Sequence, residues 1–260
     1  MNFDKYKLYT ESVQSPEVDA EFFDTYYKAY NGEEALVLKE DFCGTFLNSI
    51  EWVKRGATKQ AICVDLDPEP IEYSQKNYLP SLEPSQSERL QIFKRDVLEK
   101  SNETADVIAA LNFSTFIFKE RKKLKKYLKR SLKTLKPKGL FFMDCFGGMA
   151  TQEPLEEETE HKNFSYYWDQ DSFDPVNNQG QFYIHFKPKG EKKIKKVFSY
   201  NWRMWTLPEL RDLLIEVGFH DVHILWEGTG PNGEGNGKFT RAEKGEVCES
   251  WVAYVIGQKK

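Results

Sequence analysis

Residues 35–45, ALVLKEDFCGT, constrain this chain more than any other stretch. A short apolar run, Ala35-Leu36-Val37-Leu38, reads as a buried strand. The chain then turns acidic at Glu40 and Asp41 and closes in Phe42-Cys43-Gly44-Thr45. Beyond it Phe46, Ile50 and Val53 recur at helical spacing, and Gly56 ends that helix. A strand, a tight glycine-containing turn and a helix start form the nucleotide-binding corner of an open α/β sheet. There the first free N–H groups of the helix meet a ligand's polar atoms, and glycine lets the backbone come close. An ordinary βα turn has the same form, so the downstream pattern decides between the two.

That pattern repeats. A second strand, residues 61–64, ends in Asp65, and Asp67-Pro68 starts a helix. Asp65 lies 25 residues beyond Glu40, near the interval of about 20 at which Rossmann-like folds place an acid for ribose hydroxyls. A third strand, 90–93, is followed by Asp96-Val97, where a carboxylate would accept from an exocyclic amine or simply cap a solvated turn. A fourth, 106–111, is almost unbroken in its apolar character, as in a strand covered on both faces, and ends in Asn112-Phe113-Ser114. A fifth, 140–143, ends in Asp144. The alternation predicts a mostly parallel sheet with helices on both faces, and polar residues at the carboxyl ends of its strands mark a ligand crevice.

Around this unit, residues 1–34 form an N-terminal helical segment. It starts at Ser15-Pro16-Glu17, carries Phe22, Phe23, Tyr26 and Tyr27 on one face, and serves as packing or as a lid. The helix at 118–135 pairs a leucine stripe with a basic face running from Lys119 to Lys133, which is a solvated surface or a phosphate-binding patch. Residues 153–160 are an acidic run read as a solvated loop. The aromatic, alternating segments within 148–202 predict an inserted antiparallel β cap. Thr206 and Glu209 make a capping box for a helix closed by Gly218. The last two strands, 222–226 and 251–256, form an antiparallel pair joined by a long loop over 228–237.

The net charge of −4 gives no general attraction to nucleic acid or anionic membrane. Cys43, Cys63, Cys145 and Cys248 show no CxxC spacing, which argues against a zinc site and favours a reducing, cytoplasmic setting. The polar start is no signal peptide, and no apolar run approaches the roughly 20 residues of a membrane span. His161, His185, His220 and His223 form no metal motif, and Asp169, Asp171 and Asp174 lack the glycine of a calcium loop, so no metal is expected. Phe239 after Lys238 rules out a phosphate loop at 233–238.

With these residues in place the chain resembles a class I S-adenosylmethionine-dependent methyltransferase, over residues 35–145 and again in the reversed last strand. It is also similar to an uncharacterised bacterial subgroup with an EDFCGT turn, an early LYxxSVQ stretch (residues 8–14) and a late WRxWTxPEL segment (202–210). The resemblance implies one domain over 1–260 with a Rossmann-like, seven-stranded, mostly parallel sheet, an antiparallel last strand and a β-rich insertion after strand 5. It implies S-adenosylmethionine as cofactor. Glu40, Phe42, Cys43, Gly44 and Thr45 would be its first motif, and Asp65 with Leu66 would take the ribose. Asp96 and Val97 would take the adenine, and Asn112, Phe113 and Ser114 the methionine portion, with Tyr9 and Gln14 from the early stretch. Only Gly44 remains of that motif's usual two or three glycines, and Phe42 and Phe46 stand in the other places. Either the turn is tightened differently or the pocket is partly filled.

Methyl transfer needs positioning and exclusion of water more than a nucleophile, and no nucleophilic triad is visible. Asn112, Asp144, Tyr167, Trp168 and Arg203 are the candidates for the acceptor site, because they follow strand ends or lie in or beside the insertion. Trp168, Trp202 and Trp205 also suit the core of the insertion. Three functions remain open: a small-molecule methyltransferase; an RNA or protein methyltransferase using the basic helix; and a non-catalytic cofactor-binding protein. The sequence leaves the oligomeric state unassigned.

Overall fold

A computed structural model describes residues 3–231 and 233–260. The elements run α1 (Lys5–Val13), α2 (Pro16–Asn31), β1 (Val37–Asp41), α3 (Leu47–Lys54), β2 (Gln60–Asp65), α4 (Pro68–Asn77), α5 (Pro84–Ser87) and β3 (Leu90–Lys94). They continue with β4 (Ala105–Ala110), α6 (Arg121–Thr134), β5 (Leu135–Gly147), β6 (Leu155–Glu160), β7 (Phe164–Asp174), β8 (Gln179–Pro188) and β9 (Ile194–Arg203). The chain closes with α7 (Leu207–Val217), β10 (His220–Thr229), β11 (Gly235–Ala242) and β12 (Trp251–Gln258).

The main sheet has the order β11-β10-β12-β5-β4-β1-β2-β3. Strands β1 to β5 pair in parallel, and β12 is antiparallel to both β5 and β10. Strand β4 is buried at every position, so its apolar run Val107-Ile108-Ala109-Ala110 follows from helices on both faces. On one face Phe23, Tyr27, Ile50 and Trp52 of α2 and α3 pack on Leu38 and Phe142. On the other, Leu124 and Leu128 of α6 and Leu210 and Leu213 of α7 pack on Ile108 and Phe141. Proline at the first turn of α2 and left-handed Gly32 (φ 73°) bound that helix. Thr206 and Glu209 cap α7 reciprocally, as their spacing predicts.

Three expectations change. The main sheet has eight strands, because β11 starts at the end of the stretch 228–237 expected to be a loop and runs beyond it along the outer side of β10; Asn232 of that stretch lies outside the described residues, as do Met1 and Asn2. Strand β5 does not stop at Asp144 but runs on to Gly147, held by β12 through the pair Trp251–Gly147. The acidic run is not a loop: residues 155–160 form β6, the edge of a second, four-stranded antiparallel sheet ordered β6-β7-β8-β9. Every residue of β6 is exposed, so no apolar alternation marks it, and its carboxylates blunt an open sheet edge.

Candidate functional site

Sequence order brings the carboxyl ends of β1, β2, β4 and β5 to one rim, and the turn after β1 sets its geometry. Phe42 (φ 58°), Gly44 (φ 50°) and Phe46 (φ 44°) are all left-handed. The two phenylalanines thus keep the backbone that glycine would normally supply, at a cost of about 1–2 kcal/mol each. Their rings leave the turn open. Phe46 is fully buried in the core, and the Phe42 ring lies 5.4 Å from Tyr127 and 5.9 Å from Phe118. A Cβ built on Gly44 meets nothing within 4 Å, so open space faces the backbone there.

Two cavities meet at this rim. The smaller, about 210 Å³, is lined by Phe42, Cys43, Gly44 and Thr45 of the turn, by Tyr6, Tyr9 and Gln14 of the N-terminal segment, and by Asn112 and Ser114 after β4. The larger, about 790 Å³, lies under the second sheet, and Tyr166, Trp168 and Gln170 of β7 reach it from above. Asp144, Asn112 and Phe113 form part of its wall, with Asp19 from α2 and Tyr254 from β12. Tyr9, Asn112, Tyr200 and Trp202 line both cavities, so one wall separates them.

The acids differ in what they do. The Glu40 carboxylate is occupied by the start of α3: Asn48 Nδ2 donates to Oε1 at 3.1 Å, and the Ser49 N–H and Oγ–H donate to Oε2 at 3.0 and 2.6 Å. Burial lifts its carboxyl to about 7 against those bonds. Glu40 therefore organises the helix start and does not face either cavity. Asp65 ends β2, and its Oδ2 accepts the Gly44 N–H at 2.7 Å and its Oδ1 the Asp67 N–H at 2.9 Å. Leu66 beside it is 66% exposed, and neither Asp65 nor Leu66 lines either cavity. Asp96 accepts the Leu98 N–H at 2.8 Å, and Val97 is buried against the core.

Asp144 sits beside two consecutive left-handed residues, Asn112 and Phe113, both at φ 56°. Its Oδ1 accepts the Phe113 N–H at 2.8 Å, which fixes that turn. Burial pushes its carboxyl up to about 7, with the Phe113 and Asn112 N–H groups opposing and the charge of Asp19 adding. Asp19 is itself raised to about 6 by burial.

Two candidates leave the site. Tyr167 points to the opposite face of β7 from Tyr166 and Trp168, where its hydroxyl donates to Glu158 at 2.7 Å under Lys193. Arg203 ties elements together: its guanidinium stacks 3.6 Å from the Trp205 ring and donates to the Lys119 carbonyl and to Glu209, both at 3.1 Å. Trp205 is core, while Trp168 and Trp202 serve both core and cavity. Tyr166, Tyr200, Gln170 and Asp19 are additions; the alternation of β7 and β9 carries the signal for the first three.

Among the described residues one group could offer three metal-binding atoms, Glu156, Asp169 and His185. His185 Nδ1 accepts the Lys196 N–H at 2.9 Å, so its proton is on Nε2 and is directed at Asp169, 3.0 Å away. That pairing accounts for the group without an ion. None of the described helices is long and apolar enough to cross a membrane.

Solved structures share this arrangement along nearly its whole length. An S-adenosylmethionine-dependent methyltransferase from Clostridium acetobutylicum superposes with a TM-score of 0.70, 16% identity and coverage of 98% of both chains. This is the class I methyltransferase fold. CalS10 from Micromonospora echinaspora, an amino pentose methyltransferase solved with its S-adenosylmethionine bound, shares it at TM-score 0.69 and 10% identity, over 100% of this chain and 98% of that one. DesVI from Streptomyces venezuelae does so at 0.69 and 13%, over 100% of each. No protein-family model and no curated protein matches the sequence. In the methyltransferase fold the crevice at the strands' carboxyl ends is the general ligand position, and here it holds both cavities.

Proposed function

We propose that this chain is an S-adenosylmethionine-dependent methyltransferase acting on a small-molecule acceptor. The observation that carries the reading is the shared wall of Tyr9, Asn112, Tyr200 and Trp202, which sets a turn-lined cavity against a larger one under the second sheet. Methyl transfer is an in-line displacement, and it needs two ligands meeting at one partition, out of water.

The smaller cavity suits the amino-acid end of the donor. Gly44 leaves its backbone open to approach, and Gln14, Asn112 and Ser114 offer polar atoms. At about 210 Å³ it is smaller than the roughly 300 Å³ of an ordinary ligand pocket, so the nucleoside would lie in the groove outside it, over Leu66, with Asp65 and Asp96 towards its hydroxyls and base. When bound, S-adenosylmethionine supplies an activated methyl group. The chain's own part is to hold the acceptor against the partition and to keep water out, with residues 148–202 as the cap.

The larger cavity suits a small molecule, with Tyr166 and Trp168 on its wall. CalS10 is an amino pentose methyltransferase and KedS8 from Streptoalloteichus a sugar N-methyltransferase, each with this fold. On the basic helix, Arg121 and Lys125 pair with Glu216, and Lys122 and Lys123 with Glu120. No residue of that helix lines either cavity, which weighs against a nucleic-acid acceptor. The test is titration calorimetry with S-adenosylmethionine and S-adenosylhomocysteine: saturable binding of both, weakened by Asp65→Ala, is expected. Absence of binding would overturn the methyltransferase reading.

A further inference from the structure

The larger cavity has a one-sided chemistry. Among the described residues its wall includes six acidic side chains, Asp19, Asp144, Glu153, Glu157, Glu227 and Glu249, and no lysine, arginine or histidine. The acids come from separate places in the chain: α2, β5, the approach to β6, β6 itself, β10 and the approach to β12. The rest of the wall is rich in electron-dense faces, among them Tyr166, Trp168, Tyr200 and Trp251.

We propose that the acceptor is a cationic amine, seated in the aromatic cavity with its ammonium group on Asp144 and Asp19. This deepens the methyltransferase reading and rests on it. Asp144 is only 8% exposed and lines the cavity. Its hydrogen bonds come from backbone N–H groups alone, that of Phe113 at 2.8 Å, and no cationic side chain among the described residues pairs with it. The Asp19 carboxylate likewise has no side-chain partner among them; its own N–H is spent on the Ser15 carbonyl. The charge of Asp19 raises the proton affinity of Asp144; Tyr9 feels the charge of Asp144, and Tyr254 those of Asp19, Asp144 and Glu227. Like charges gathered in a half-dry space are unfavourable until a cation arrives or a proton binds. A cationic ligand removes that repulsion, and the aromatic faces attract it further. A phosphate or carboxylate ligand would meet the opposite field.

The same pair suits the chemistry. The ammonium gives one proton to the Asp144 carboxylate, whose affinity for it is raised to about 7. The freed nitrogen lone pair forms the N–C bond while the S–C bond of the donor breaks, and the donor leaves as a neutral thioether. The methylated nitrogen carries the one remaining positive charge, and Asp144 passes its proton to water.

The experiment uses the whole protein. S-adenosylhomocysteine binding is measured first; if it fails, the methyltransferase reading falls, separately from this one. Its complex is then titrated with tyramine, tryptamine and glucosamine and with the matched alcohol and carboxylate of each, followed by the fluorescence of the wall tryptophans. The amine should bind at least about tenfold more tightly than its counterparts in at least one set, and Asp144→Asn and Asp19→Asn should each remove most of that preference. In the wild type, amine binding should strengthen as pH rises through about 7, and Asp144→Asn should flatten the profile. If no set shows a preference for the amine, or the preference survives both substitutions, the proposal is overturned.

Discussion

The N–H of Gly44 donates to Oδ2 of Asp65 at 2.7 Å, so the turn after β1 is tied to the acid that ends β2. One carboxylate thereby shapes the backbone of the smaller cavity and, on the proposed reading, would also take the ribose. Replacing it separates these duties. Asp65→Asn keeps an acceptor for Gly44 and should leave thermal stability within about 1 kcal/mol of wild type. Asp65→Ala loses that bond and the one to Asp67. It should cost roughly 1–2 kcal/mol in a denaturant titration and at least about tenfold in S-adenosylhomocysteine affinity by calorimetry.

Phe42 and Phe46 share a left-handed backbone but not an environment. At Phe42 a glycine would relieve about 1–2 kcal/mol of backbone strain and give up the partial packing on Phe118 and Tyr127. Phe42→Gly should therefore change unfolding free energy by less than about 1.5 kcal/mol. Phe46 is wholly buried, so Phe46→Gly gains the same relief against a cavity cost of about 3–5 kcal/mol. A net loss of about 1–4 kcal/mol is expected from urea unfolding.

Glu40 is a structural acid. Glu40→Ala leaves Asn48 and the Ser49 N–H and hydroxyl without their buried partner and should cost about 2–4 kcal/mol. In Glu40→Gln the amide oxygen still serves Ser49, and a flipped Asn48 side chain can accept from the new NH₂ group. A loss below about 1 kcal/mol is expected, and equal losses in the two variants would contradict the hydrogen-bond account.

Asp144 makes stability depend on pH in a definite direction. Its carboxyl stands at about 7 in the fold against 3.8 ordinarily, so the folded state holds the proton more tightly. The contribution is fully present below pH 3.8 and is lost as pH rises through about 7. In Asp144→Asn the side-chain oxygen keeps the Phe113 N–H and no charge is buried. The ligand-free variant should be more stable than wild type at pH 8 by roughly 1–3 kcal/mol, with a flatter stability profile between pH 4 and 7.

Much of this arrangement can be read from the chain, for reasons visible residue by residue. Strand β4 announces itself because both faces are covered, and α7 because Thr206 and Glu209 cap it. Strand β6 is hidden because an exposed edge needs no apolar side, and β11 because its glycines and asparagine lack alternation. Among the candidate residues, those following β1 and β4, and Asp144 near the end of β5, can be placed at the cavity walls from order alone, whereas Asp65 and Asp96 also lie at or after strand ends and line neither cavity. Tyr167 and Tyr166 are not distinguishable without register: one step along β7 exchanges the cavity for the outer face. Asp19 is invisible for a related reason, since which flank of α2 overlooks the cavity is decided by tertiary packing. The part Glu40 plays depends on Asn48 and Ser49, whose side chains turn back to it.

The central claim is that donor and acceptor meet across the wall of Tyr9, Asn112, Tyr200 and Trp202. A crystal structure with S-adenosylhomocysteine bound tests it most directly. The account predicts the adenosine over Leu66 with its hydroxyls towards Asp65, and the sulfur at that wall facing the larger cavity. A ligand lying within the larger cavity, or with its sulfur turned away from the four shared residues, would contradict it.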